Sequence, residues 1–221
     1  MSTTFQTAEL PAPASAKAPA ARPSPSPSPA AARPDVPGWL RHISQLPIGC
    51  DPCPFSVLID SREQAPWRFD GFTTDQSKSG AAIRPLWIPA RWQGLPTGDY
   101  SIETPEGQSL EGKIAIERKS LTDLYGTLGA GRDRFAAEHE RMAEIVNNGG
   151  YACVIIEATL EQAISEPPEE SKLSPKVVFR TAASWQVKYR VPWHFVGPRR
   201  LAEAFAFRLL EKWWEKNASV D

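Results

Sequence analysis

Asp99, Glu117 and Lys119 are the residues of this chain whose types and spacing could do chemistry. Asp99 follows Gly98 at the start of a short β-type run, and Glu117 and Lys119 stand two apart at the end of another, Ile114-Ala115-Ile116-Glu117-Arg118-Lys119. Side chains two apart on a strand share a face, so Glu117 and Lys119 lie together while Arg118 turns away. If the two strands pair, Asp99 meets Glu117 on that face. Two hard carboxylate oxygens on paired strands, with positions left for water and phosphate, suit Mg²⁺ better than a closed all-protein cage would. An ammonium beside that ion completes a site able to hydrolyse a phosphodiester. Acids beside a lysine also mark many strand ends that do no chemistry, and the triplet alone leaves both readings open.

A wider set of residues separates them. Val57-Leu58-Ile59-Asp60-Ser61-Arg62-Glu63, Gly98-Asp99-Tyr100, Glu117-Arg118-Lys119-Ser120, Asp123-Leu124 and Gly131-Arg132 follow one another along the chain. Together they resemble the nuclease domain of XPF-type structure-specific endonucleases. That family is marked by a strand ending in Asp-x-Arg-Glu and by Gly-Asp-x(n)-Glu-Arg-Lys-x(3)-Asp. The resemblance spans residues 55–216, and its specific part lies between Asp60 and Arg132.

The resemblance implies a metal-dependent DNA endonuclease acting near branches or single-strand/double-strand junctions in repair or recombination. It implies catalytic roles for Asp60, Asp99, Glu117, Lys119 and Asp123. Asp99, Glu117 and the Arg118 carbonyl would be ligands of Mg²⁺, for which Mn²⁺ can substitute. Lys119 would position water or stabilise developing charge, and Arg62 and Arg132 would contact DNA phosphate. The alternative is a catalytically silent DNA-binding or scaffold module, because the family also contains pseudonuclease partners. Silent members typically lose the acids or the lysine, whereas this chain keeps all five residues. Relatives pair through this domain, so a homodimer, or a partner protein supplying further DNA binding, is implied. Many relatives also carry tandem helix-hairpin-helix modules afterwards. The chain stops at Asp221, which predicts reduced branch selectivity or selectivity supplied by a partner.

The elements that must position these residues are legible as periodicities. Residues 55–61 form a β-rich apolar run, residues 83–88 a weaker one, and residues 99–103 and 114–118 alternate apolar with polar. Residues 151–157 read as a nearly continuous apolar strand. Between the last two, Ser120-x-x-Asp123 opens a helix with Leu121, Leu124, Tyr125 and Leu128 as its stripe, broken by Gly129 to Gly131. A second helix follows, with Phe135, His139, Met142 and Val146 on one face and Gly149-Gly150 as its stop. His139 on that stripe reads as a satisfied core histidine. Antiparallel strands and then a helical crossover into a buried parallel strand predict an α/β restriction-endonuclease-like mixed sheet flanked by helices. Farther on, Ser174-Pro175 opens a helix, residues 193–196 form a short strand, and residues 199–216 form a helix with Leu201, Phe205, Leu209 and Trp213 as its stripe.

Composition bounds the rest. Of 22 prolines in 221 residues, many crowd the N-terminus. Residues 1–38, rich in Pro, Ala and Ser, have almost nothing apolar to bury and are expected to form a disordered, partly polyproline tail. The expected layout is that tail, a linker over 39–54, the nuclease domain over 55–216 and a short tail over 217–221. The first residues lack an apolar signal region and no run is long enough to cross a bilayer, so no membrane association is expected. A cytoplasmic protein follows, nucleoid-associated in a prokaryote or phage and nuclear in a eukaryote.

Cys50 and Cys53 form a lone C-x-x-C without a second pair or matching histidines, a weak zinc or redox signal, and Cys153 reads as a core thiol. The 8 tryptophans include Trp87, Trp92, Trp213 and Trp214, which suit base stacking or core filling equally. A formal net charge of -1 does not exclude a nucleic-acid partner, because only the local field steers a phosphate. Deleting residues 1–34 is expected to move the melting temperature by less than about 4 °C, the equivalent of roughly 1 kcal/mol in a domain of this size. Thermal unfolding of the full and truncated chains checks this, and a larger fall would mean that the tail docks.

Overall fold

The computed structural model describes residues 46–74 and 82–218, so the tail expected over 1–38 and the last residues of the chain lie outside it. Strand β1 (Asp51–Pro52) pairs with β3 (Leu86–Trp87) in a small two-stranded sheet. The main sheet contains β2 (Ser56–Asp60), β4 (Ala90–Gln93), β5 (Tyr100–Glu103), β6 (Ile114–Lys119), β7 (Tyr151–Ile156) and β8 (Trp193–Phe195). Their spatial order is β4-β2-β5-β6-β7-β8. β2, β5 and β6 run antiparallel to their neighbours in turn, whereas β6–β7, β7–β8 and β2–β4 are parallel. Parallel neighbours need crossovers. Helices α1 (Leu121–Leu128) and α2 (Arg132–Asn147) provide the first, α3 (Leu160–Ser165) and α4 (Pro175–Tyr189) the second, and α5 (Arg199–Asn217) returns across the sheet.

Alternation along the strands builds two cores. Ile59, Tyr100, Ile102, Ile116 and Ile155 pack on Ala206, Phe207 and Leu210 of α5. Residues one step out of phase, among them Ala115, Val154 and Ile156, pack on Leu124 of α1, Met142 of α2 and Val178 and Trp185 of α4. The helix starts follow local chemistry. Ser120 caps α1 by accepting the Asp123 N–H, and Pro175 occupies the first turn of α4 after Ser174. Where α2 turns into β7, a Cβ on Gly150 would lie 2.4 Å from the Lys113 carbonyl oxygen, so only glycine lets the chain pass there.

Several expectations need correction. Residues 51–54 are not linker, because Asp51–Pro52 pairs with β3 and Cys53 is buried, its thiol pushed up to about 12 by burial. The weak run at 83–88 yields only Leu86–Trp87 as strand. Strand β4 escapes apolar patterning because it is a mostly exposed edge, Ala-Arg-Trp-Gln. Helix α5 buries Ala202, Glu203, Ala206, Phe207 and Leu210, one position around from the expected stripe, and leaves Leu201 53 % exposed. Glu203 accounts for the rotation: its carboxylate accepts the N–H groups of Arg68 and Phe69 at 3.0 and 2.6 Å, drawing an acid into the packed face.

His139 is a core residue, as its stripe predicts. Its Nε2 accepts the Trp193 indole N–H at 2.8 Å, which leaves Nδ1–H to donate to the Phe135 carbonyl at 2.9 Å. Burial lowers its pKa from 6.5 to about 4. Between those values the unfolded chain binds a proton that the folded chain refuses, so this contribution to stability is complete above the unfolded value and is lost as pH falls toward the folded one. His139→Gln can still accept the indole N–H. It is expected to lose about 2 kcal/mol less than the parent between about pH 7 and pH 4.5, as read by urea unfolding. Identical acid slopes would show that His139 is not the buried neutral group described.

Candidate active site

β2 ends, β5 begins and β6 ends at one edge of the sheet, which brings Asp60, Asp99, Glu117 and Lys119 together. The main chain ties them in sequence. Asp60 N–H donates to the Asp99 carbonyl and Asp99 N–H to the Ile116 carbonyl, both at 2.8 Å. Tyr100 is already the partner of Ile116, so two residues oppose one as in a β-bulge, and the chain bends. The Asp99 carboxylate then accepts the Arg118 N–H at 2.7 Å, continuing the ladder where β5 has run out. Gly98 makes the bend possible. Its φ is +72°, a Cβ there would stand 3.0 Å from the Ile116 carbonyl oxygen, and its N–H donates to Glu138 of α2 at 2.7 Å.

The electrostatics are those of crowded acids. Burial, and then the Glu117 charge, raise the Asp99 pKa well above the ordinary carboxylate value. Burial also raises Glu117, with Glu138 and Glu63 adding to it against Lys119. Burial works against the Lys119 charge, but Glu117 and Asp99 outweigh it and hold the ammonium above its usual pKa. Lys119 is ion-paired to Glu117 and sits 5.1 Å from the Phe135 ring centroid.

A divalent cation fits this donor set. Asp99 Oδ2 is taken by the Arg118 N–H and Glu117 Oε1 by Lys119, while the second oxygen of each makes no hydrogen bond within the described residues. No fully buried side-chain oxygen among those residues lacks a partner, so both of these oxygens reach solvent. No three or more His, Cys, Asp or Glu side chains among the described residues are arranged to hold a metal ion together. A cation here would therefore take two carboxylates, a main-chain carbonyl and water, as a hard, well-hydrated ion does.

Other expected site residues are placed differently. Asp60 is buried and committed to the exposed Arg62, whose Nε lies 2.9 Å and Nη2 2.7 Å from Oδ2 and whose Nη2 also donates to the Leu95 carbonyl at 2.5 Å. Asp123 is exposed on the first turn of α1 and accepts the Ser120 hydroxyl at 2.6 Å; it touches neither Asp99 nor Glu117. Arg132 donates to Thr181 at 3.1 Å and lies 5.1 Å from the Trp185 ring centroid, so it fastens α2 to α4.

Arg118 turns to the opposite face, as alternation predicts. It clamps both oxygens of Glu157 at 2.8 Å and reaches Glu63 at 3.3 Å. Glu157 further accepts the Trp67 indole N–H at 2.8 Å and Arg199 at 3.0 Å. Glu63, Glu138 and Glu157 were not among the expected site residues. Glu63 alone had a sequence signal, as the last residue of Asp-x-Arg-Glu.

A mixed sheet flanked by helices, with acids and a lysine gathered where its central strands end, is the layout of restriction-endonuclease-like nucleases. The model of the ERCC4 domain family matches residues 59–205, and the chain belongs to that family of XPF-type nucleases. Among solved structures it is similar to XPF from Aeropyrum pernix, at 18 % identity and a TM-score of 0.46, covering 71 % of this chain and 64 % of that one. It is also similar to XPF from Aeropyrum pernix in complex with DNA, at 17 % identity and a TM-score of 0.46, covering 72 % and 64 %. The chain thus spans 64 % of the length of these proteins. No curated protein matches it.

Gly98→Ala is expected to cost about 1–3 kcal/mol, because a Cβ must take a left-handed φ against the Ile116 carbonyl. If Mg²⁺ binds at Asp99 and raises the melting temperature of the parent, the variant should show a smaller rise, since Asp99 moves with Gly98. Thermal melts with and without Mg²⁺ read both effects, and a wild-type response in each would show that the bend is not a constraint.

Proposed function

We propose that the chain is a metal-dependent DNA endonuclease that hydrolyses phosphodiester bonds near branched or single-strand/double-strand junctions, in repair or recombination. The observation that carries this reading is the desolvated pair Asp99 and Glu117, both pushed toward protonation by burial and each keeping one oxygen toward solvent, beside a charged lysine. Asp99, Glu117 and the Arg118 carbonyl would hold Mg²⁺ or Mn²⁺. Such a cation, when bound, supplies Lewis acidity and a more acidic bound water.

The chain's own groups do the rest. Lys119, held charged by its neighbours, stabilises negative charge building on the non-bridging phosphate oxygens. Asp60 and the Leu95 carbonyl hold the Nε and Nη2 sides of the exposed Arg62 guanidinium, which leaves Nη1 to grip a phosphate. Asp123 caps α1, and its carboxylate adds to the field that keeps Lys119 protonated. Family membership supports DNA as the substrate, together with a homodimer or a partner that adds DNA affinity. Among the described residues no helix is long and apolar enough to cross a membrane. A nuclear or nucleoid location fits the proposed substrate.

The test is cleavage of a panel of flap, fork, four-way and linear DNAs with Mg²⁺, Mn²⁺ or EDTA. The folded protein is expected to cut with either metal and not with EDTA, while Asp99→Ala and Glu117→Ala abolish cutting and leave binding intact. Lys119→Ala should lower the single-turnover rate by ~10²-fold with little change in binding. Arg118→Ala acts differently: it strands Glu157 and Glu63 and is expected to destabilise the fold by about 3–5 kcal/mol. Wild-type rates in both acid variants would sink the metal assignment. A folded chain that binds DNA but cuts none of the panel would instead be a silent module.

A further inference from the structure

Charge is distributed unevenly over this molecule. Over β4 and α5 the arginines are matched by acids: Arg91 by Glu103, Arg199 by Glu157, Arg200 by Glu203 and Arg208 by Glu211. The matching stops at α4. That helix carries Lys176, Arg180 and Lys188 and no acid, and Arg190 follows as its C-cap. None of these four cations is ion-paired within the described residues; Lys188 donates instead to the Tyr189 hydroxyl at 2.8 Å. At about 100° per residue, Lys176, Arg180 and Lys188 fall within roughly 120° of arc. They are exposed, opposite the buried Ala182, and span roughly 18 Å of helix axis at about 1.5 Å per residue. Val187, 82 % exposed, lies on the same strip, and Phe179, 53 % exposed, stands about 60° to one side of it. The acids Glu166, Glu169 and Glu170 stand in the loop before the helix, so the uncompensated strip begins beyond them.

The helix that carries this strip packs on α1 and α2, the two helices that follow the catalytic edge. Arg132 bolts α4 to the α1–α2 turn through Thr181 and Trp185. At that turn lies an open groove of about 610 Å³, lined by Asp123, Gly126, Thr127 and Arg134 among others. Gly126 has open space where a Cβ would be, and Arg134 is exposed and without an ion pair among the described residues.

We infer that the exposed face of α4, continued by Arg134 and the groove beside Asp123, is a second nucleic-acid contact surface that holds the phosphate backbone flanking the bond at the catalytic edge. It rests on the nuclease reading above. The occupant follows from charge complementarity: α4 presents cations and no acid of its own, with Asp123 only at the end of the groove nearest the catalytic edge, and such a face suits a polyanion. A second copy of this chain suits it poorly, because a two-fold contact on this face sets its cations against their own copies.

The experiment measures DNA binding by the full chain with EDTA present, using fluorescence anisotropy on a labelled fork and a linear duplex across a salt series. Lys176→Ala/Arg180→Ala/Lys188→Ala is expected to weaken binding at least tenfold near physiological salt and to flatten the plot of log K against log salt by about 0.9 for each phosphate no longer neutralised. Arg134→Ala alone should flatten it by the equivalent of about one phosphate. Lys113→Ala/Lys216→Ala, which removes cations from the far edge of the sheet, should leave the slope unchanged. All the substituted residues are exposed, so unchanged thermal melts verify folding.

A triple variant that keeps the wild-type slope while the parent binds and cuts DNA overturns the inference and leaves the nuclease reading standing. If that variant also changes its elution volume, the face is a protein contact and the inference falls. A parent that binds no DNA in this series overturns both.

Discussion

The hydrogen bond from the Arg118 N–H to the Asp99 carboxylate is the constraint on which the catalytic edge depends. A strand that ends beside a longer neighbour leaves that neighbour's next N–H without a rung, and an orphaned backbone donor in a buried place costs free energy. Here a side chain supplies the rung. Because the carboxylate must stand within 2.7 Å of Arg118, it is held beside Glu117 in the same step that completes the sheet. Folding and site assembly are therefore one event. The penalty appears as charge: two desolvated acids face one ammonium, and both acids are pushed toward protonation.

β6 does two opposed jobs on its two faces. Glu117 and Lys119 face the α1–α2 layer, while Arg118 between them faces the α5 side and closes a cluster of Glu63, Glu157, Trp67 and Arg199. That cluster joins the loop after β2, the ends of β6 and β7 and the start of α5. Arg199 also holds the carbonyls of Ala65 and Pro66 at 2.7 and 2.6 Å, so the loop carrying Glu63 is anchored from both sides. Removing Arg118 would leave two acids without their shared cation, whereas removing Lys119 leaves this second face untouched. A triplet Glu-Arg-Lys on one strand thus combines chemistry and bracing, and the middle residue acts through its side chain as a brace.

How much of this was legible in the chain depends on the range of each interaction. The Ser120 cap, the proline start of α4 and the alternation of Glu117 and Lys119 against Arg118 are local, and each follows from spacing. His139 was legible as core because its apolar stripe is a local pattern, although its partner Trp193 lies 54 residues away. Glu138 and Glu157 had no such signal. One meets Gly98 across 40 residues and the other meets Trp67 across 90, and nothing near either acid in sequence marks it as different from a surface glutamate. The α5 stripe was misplaced because apolar periodicity counts Leu201 and ignores Glu203, whose burial is explained only by two backbone donors from a distant loop. Arg132 was assigned to phosphate from its motif neighbourhood, and its contact with Thr181 and Trp185 needed α4 to be placed first.

The same distinction bears on charge. A net charge of -1 describes a sum, and a polyanion responds to the field where it lies. The arginines of α5 and β4 are paired with acids and further acids gather at the catalytic edge, while α4 has cations and no acid of its own. Near-neutral chains can therefore present a one-signed surface without excess lysine or arginine, provided that their acids are sequestered elsewhere. In this protein several of the acids that enter the total are spent on holding α5 and the catalytic edge in place, so the balance of the whole chain does not describe the field over α4.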